Sequence, residues 1–133
     1  MGNPGTGTDS WTSAALTDAG ARRAHNEDAV LARDDAALWC VADGMGGHEA
    51  GEVASAGVVE ALEALPGDDA LSEAIDRVDD SLMDANRRLR DYAARELGGR
   101  TLGATVVVML VRGRLGACLW AGDSRLFRWR DGE

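Results

Sequence analysis

The sequence predicts an α+β fold in which strands at either end of the chain enclose two consecutive amphipathic helices. Three observations carry this expectation. Apolar runs at 30–33 and 37–42 flank the turn residues Asp34 and Asp35. Apolar residues recur at three- and four-residue steps between Val53 and Leu97. A β-branched run from Thr105 to Val111 is followed, after Arg112-Gly113-Arg114, by a second run from Leu115 to Ala121. Runs bounded by turn residues read as strands and hairpins, whereas steps of three and four put side chains on one face of a helix.

Taken in order, Trp11 to Leu16 suits a short strand that ends at the turn Asp18-Ala19-Gly20. A polar stretch, Ala21 to Asp28, then places two arginines before two acids. Of the next two strands the second is apolar throughout, as a core strand covered on both faces would be. It delivers Asp43 to a turn with four glycines, Gly44, Gly46, Gly47 and Gly51, where buried structure reaches solvent. The first helix runs from Gly51 to Leu65 with Val53, Ala54, Gly57, Val58, Ala61, Leu62 and Leu65 on its apolar side, and Pro66-Gly67 ends it. Asp68 and Asp69 are the capping candidates for the second helix, whose stripe is Leu71, Ile75, Val78, Leu82, Leu89, Tyr92, Ala93 and Leu97 before Gly98-Gly99. The hairpin 105–121 leads into the turn Gly122-Asp123-Ser124, then an alternating strand from Arg125 to Arg130 and the turn Asp131-Gly132.

Composition narrows the function classes. A chain of 133 residues with 45% apolar and 28% charged residues is one globular domain's length. Its 23 acids against 14 bases give a net charge of −9, which disfavours nucleic acid or an anionic membrane as main partner. Residues 1–10 are read as a disordered leader and not a secretory signal, and no segment has the length of a membrane span. Cys40 and Cys118 lie in apolar runs without metal-ligand spacing, so buried thiols in a reducing, cytoplasmic setting are expected. Gly44-Met45-Gly46-Gly47 matches neither nucleotide-binding glycine pattern, and the acidic run Asp76 to Asp84 lacks the spacing of a calcium loop and reads as a solvated helix face.

Three acid-bearing turns remain: Asn26-Glu27-Asp28, Asp43-Gly44 and Gly122-Asp123-Ser124. If the strands beside them share a sheet system, these turns meet at one end. Oxygen donors without His or Cys partners point to hard cations, Mg²⁺ or Mn²⁺, and two such ions can clamp a phosphoryl group. Arg23, four residues before Glu27, offers the bidentate fork that suits phosphate oxygens. On the residues alone, Asp43 is either such a ligand or an ordinary turn aspartate.

The motifs decide more. Arg-Ala-His-Asn-Glu-Asp at 23–28, Val-Ala-Asp-Gly-Met-Gly-Gly-His at 41–48 with Gly-Glu-Val-Ala-Ser at 51–55, Gly-Ala-Thr at 103–105 and Ala-Gly-Asp-Ser-Arg at 121–125 follow one another in order. In this the chain resembles the metal-dependent Ser/Thr protein phosphatases of type 2C, in the bacterial style that opposes Ser/Thr kinases. The resemblance implies a fold of two antiparallel sheets packed face to face with helices outside, in α-β-β-α layers, of which residues 11–133 supply about the first half. It implies that Asp43 bridges two Mn²⁺ or Mg²⁺ ions, with Glu27 and the Gly44 carbonyl completing one of them, and that Arg23 clamps the substrate phosphate. Asp28 matches a residue that orders metal-bound water, and Asp123 an acid near the cluster that helps hold a weaker third ion. The implied reaction is attack of metal-bound hydroxide on phosphoserine or phosphothreonine in a phosphoprotein, including a Ser/Thr kinase or its targets.

Two departures qualify this. Some relatives carry a His directly after the Asp-Gly pair where this chain has Met45, and His48 is the nearest candidate for a role there. The family pattern also needs two further aspartates on later strands, and after Asp123 this chain offers only Asp131. Weak or absent turnover by the 133 residues alone is therefore expected, and the alternative reading is a catalytically incomplete fragment or pseudophosphatase acting as a binding module. Unpaired strand edges further predict self-association.

Overall fold

The computed structural model describes residues 10–47 and 49–133. Four strands, β1 (Asp28–Arg33), β2 (Leu38–Met45), β3 (Gly103–Arg112) and β4 (Leu115–Ala121), form one antiparallel sheet in the order β1-β2-β3-β4. A short 3-10 helix, Asp34–Ala36, joins the first two strands, and α1 (Ala50–Glu63) and α2 (Leu71–Glu96) connect the central pair. The leader expectation falls, apart from Ser10, on residues outside those described.

Alternation along β2 sets the layers. Leu38, Cys40, Ala42 and Gly44 are buried, and Leu38, Cys40 and Ala42 pack with Val106, Val108 and Leu110 of β3 against Val58 and Leu62 of α1 and Ala74 and Val78 of α2. Both helices thus cover one face of the sheet. Trp39, Val41, Asp43 and Met45 occupy the other face, where Val41 is 45% exposed, so the expected cover on both faces of this strand does not hold. Burial pushes the Cys40 thiol up to about 12, which makes it a packing group, while Cys118 is only half-buried and both thiols are free.

Two expected strands are absent. Trp11–Leu16 and Arg125–Arg130 carry strand-like residues but form no ladder among the described residues. Both border a shallow pocket on the open face, where Ala14 to Leu16 and Arg125–Leu126 flank Val30, Trp39, Val41 and Val107. A strand needs a hydrogen-bonded neighbour alongside it, and these segments lie against the open face and not beside an edge strand. Side chains tie the first of them down instead: Ser13 donates to Asp34 from its backbone N–H at 3.1 Å, Trp39 Nε1 donates to Asp34 Oδ1 at 2.9 Å, and the Trp11 and Trp39 rings meet edge to face at 5.8 Å.

The capping expectation for α2 also fails. Its first flanking residue is Ala70, with no side-chain cap, because Asp69 is engaged elsewhere. Arg112 Nη2 donates to Asp69 Oδ1 at 2.8 Å, and the same guanidinium reaches the Ala36 carbonyl at 2.8 Å and the Asp69 carbonyl at 2.9 Å. Among the described residues Asp69 Oδ2 has no hydrogen bond, only the Arg77 Nε contact at 3.2 Å. The link between the helices is therefore clamped to the end of β3 by a buried charge pair. At the far end of α2, Gly98 and Gly99 take positive φ and the Gly99 N–H returns to the Ala93 carbonyl at 2.9 Å, the glycine stop that the sequence suggests.

Candidate metal centre

Asp43 lies in a strand and not in a turn, as does Asp28. The ladder continues past Asp43 because the Gly44 N–H donates to the Glu27 carbonyl at 2.8 Å and Met45 still pairs with Gly103. The chain turns only from Gly46, which has a φ of 146°. This register is what builds the site. Glu27 and Gly44 form a hydrogen-bonded pair, so Asp28 and Asp43, the next pair along, sit at a non-hydrogen-bonded position where side chains come closest. Two carboxylates therefore face each other on the open side of the sheet.

The third acid arrives from β4. On β3, Thr105 pairs with Asp43 across one edge, while Gly122 folds over the Thr105 side chain, so close that a Cβ on Gly122 would stand 2.6 Å from Thr105 Cγ2. The Thr105 and Ser124 hydroxyls hydrogen-bond at 2.6 Å. These contacts bring Asp123 near enough for its charge to act on Asp43. The Asp43 carboxyl is raised above its ordinary value, first by partial loss of water, then by the charge and hydrogen-bonding reach of Asp28 and the charge of Asp123, while the Arg23 guanidinium offsets part of the rise. Charges from three separate stretches of the chain, Arg23 and Asp28, Asp43, and Asp123, are thus felt at the Asp43 carboxyl.

Glu27 enters from the opposite side of β2. Its carboxylate lies against Gly51 in the first turn of α1, where a Cβ would come within 2.8 Å of Glu27 Cδ. Beside it, at the next residue of α1, Glu52 Oε2 stands 3.8 Å from His25 Nδ1, so the loop before β1 is seated on the start of α1. His48 lies outside the described residues. Met45 is 59% exposed beside the acids and contributes no titratable group. The Thr105–Ser124 bridge was not singled out by sequence reasoning, although both residues lie in quoted motifs. A hydroxyl opposite Asp43 becomes visible only once the β2–β3 register is known.

The donor chemistry suits a hard divalent cation. All candidate groups are oxygens, and the mutual repulsion of Asp28, Asp43 and Asp123 is what a bound cation would neutralise. The set is partial: among the described residues, no three His, Cys, Asp or Glu side chains already converge as a group that could hold a metal.

Known proteins match this architecture. The family model described as protein phosphatase 2C matches residues 17–133. The serine/threonine protein phosphatase PstP of Mycobacterium tuberculosis is 38% identical over 120 residues, which is 90% of this chain and 23% of that protein. The serine/threonine phosphatase stp of Listeria monocytogenes is 34% identical over 116 residues, 82% of this chain and 46% of that protein. Among solved structures, PppA from Pseudomonas aeruginosa superposes with a TM-score of 0.82 at 40% identity, covering 89% of this chain and 51% of that one. The PstP catalytic domain in complex with two manganese ions gives a TM-score of 0.81 at 38% identity, with 90% and 51% coverage. The chain thus spans about half the length of these solved domains, and less of the curated relatives.

Proposed function

Because this chain belongs to the protein phosphatase 2C family, we propose that it supplies the metal-bridging and phosphate-recognising part of a protein serine/threonine phosphatase. The observation that carries this is the strand register that sets Asp28 opposite Asp43, with Thr105, the next partner of Asp43, holding the Gly122–Ser124 turn that bears Asp123. Asp43 would be the ligand shared by two ions, on a strand that is paired on both sides. Glu27 and the Gly44 carbonyl would help hold one ion, Asp28 would order water beside it, and Asp123 would help hold a weaker ion. Two Mn²⁺ or Mg²⁺ ions, when bound, would neutralise phosphate charge and make water a stronger nucleophile. Arg23 binds the phosphate of phosphoserine or phosphothreonine through its planar fork and turns the phosphorus toward the acids. The substrates are phosphoproteins, a Ser/Thr kinase or its targets among them.

The test is phosphate release from a phosphothreonine peptide by the full gene product in Mn²⁺. Activity that disappears in EDTA and in Asp43→Asn supports the assignment, with Arg23→Ala raising KM more than it lowers kcat. Release that is equal in EDTA, or unaffected by Asp43→Asn, overturns it. The partial donor set among the described residues favours a second reading, a binding module that retains phosphopeptide without turnover. Retention that depends on Arg23 but not on Mn²⁺ distinguishes that case.

A further inference from the structure

We propose that Gly51 is a positioning residue for the candidate metal centre: its missing side chain makes the seat in which the Glu27 carboxylate is held. The inference rests on the reading of Glu27 as a metal ligand. A Cβ at position 51 would lie 2.8 Å from Glu27 Cδ and 3.0 Å from Glu27 Oε1, with the Gly44 carbonyl carbon also at 3.0 Å. Gly51 is buried in the first turn of α1 and is described without a positive φ, so backbone conformation does not demand glycine there. What demands it is space. Three things cross at this point: the start of α1, the end of β2 at Gly44, and the Glu27 side chain.

The same crossing fixes Glu27 twice. Its backbone carbonyl accepts the Gly44 N–H at 2.8 Å, and its carboxylate rests on Gly51. The two glycines differ in what they tolerate. A Cβ on Gly44 would overlap the Gly51 carbonyl and stand 2.8 Å from the Glu27 carbonyl oxygen, both of them backbone atoms that cannot give way. At Gly51 the one atom closer than 3.0 Å, Glu27 Cδ, belongs to the far end of a flexible side chain that moves aside at little cost, and the Gly44 carbonyl carbon at 3.0 Å has to give only by a few tenths of an ångström. Gly51→Ala therefore displaces the Glu27 carboxylate while the fold persists, whereas Gly44→Ala disrupts the fold itself.

Mn²⁺ titration of the 133-residue chain, read by loss of the free-ion electron paramagnetic resonance signal, tests this with a double-mutant cycle. Gly51→Ala is expected to raise the Mn²⁺ Kd by about tenfold or more, the usual effect of disturbing a ligand's support. Glu27→Gln weakens binding by itself, and adding Gly51→Ala to it changes Kd little further. A purely structural role would weaken binding equally in both backgrounds, and that result overturns the inference, as does a Gly51→Ala chain that binds like wild type. If wild type takes up no Mn²⁺, or Glu27→Gln binds as wild type does, the metal reading fails first and takes the inference with it. Should Gly51→Ala not fold, Gly51→Ala with Glu27→Asp decides: a restored cooperative melt places the clash at the carboxylate, and no restoration refutes that placement.

Discussion

At the scale of residues, charge on Asp43 opposes folding until something neutralises it. Its folded pKa lies above the unfolded value, so the folded chain holds a proton that the unfolded chain has lost. Stability therefore falls as pH rises from the ordinary aspartate value through the raised one, and is level above it. Asp43→Asn removes this penalty. In EDTA at pH 7 its melting temperature is expected to exceed that of wild type, by an amount kept small because the carboxyl is exposed and screened by solvent. A lower melting temperature contradicts the account. Asp34 behaves in the opposite sense. Hydrogen bonds from Ser13 and Trp39 lower its pKa, so its contribution is present above the ordinary aspartate value and is lost as pH falls through the depressed one. Trp39 fluorescence is expected to change in that acid range, and Asp34→Asn to produce the change at neutral pH; emission insensitive to both contradicts the contact. Of these details the acids and Arg23 were legible in sequence as residue types. That Asp28 stands opposite Asp43 was not, because one residue of register slip would turn them to opposite faces.

At the scale of elements, both helices were legible to within two residues at each end, since their stripes reflect burial against one sheet face. The strands β1 to β4 were legible also, though β2 runs three residues further than its apolar run, to Met45, because backbone pairing and not hydropathy carries it on. The segments 11–16 and 125–130 misled because strand propensity describes a side chain's fit to a pleated surface and not the presence of a partner. The cap misled because Asp69 was claimed by an arginine 43 residues away. That clamp makes a prediction at this scale. With Asp69 6% and Arg112 14% exposed, Arg112→Ala leaves the buried carboxylate only its contact with the half-exposed Arg77 and is expected to cost about 3 kcal/mol in chemical denaturation, the low end for a broken buried pair. Arg77→Ala, at a side chain 54% exposed, is expected to cost well under half of that. Equal losses would contradict the clamp.

At the scale of the whole molecule, one sheet face is covered by helices and the other carries the acids beside uncovered apolar surface. Trp120, Phe127 and Trp129 are 69%, 80% and 78% exposed, and β1 and β4 are the edges of the described sheet. Such surface favours association, so sedimentation of the 133-residue chain is expected to show concentration-dependent self-association, reduced by Phe127→Ser with Trp129→Ser. A monomer at every concentration contradicts this. The fold class was legible because ordered motifs identified a family; the one-sided burial was not, because apolar runs look alike whether one face is covered or two. The central claim is that acids from β1, β2 and the end of β4 form one divalent-cation site. It is tested most directly by adding Mn²⁺ in small steps to the ¹⁵N-labelled chain and following which amide resonances broaden. The account predicts that Asp28, Asp43, Gly44 and Asp123 broaden first and together, and that Asp43→Asn abolishes the effect. Broadening that begins instead on the acidic face of α2, at Asp76, Asp79, Asp80 and Asp84, or that survives Asp43→Asn, would contradict it.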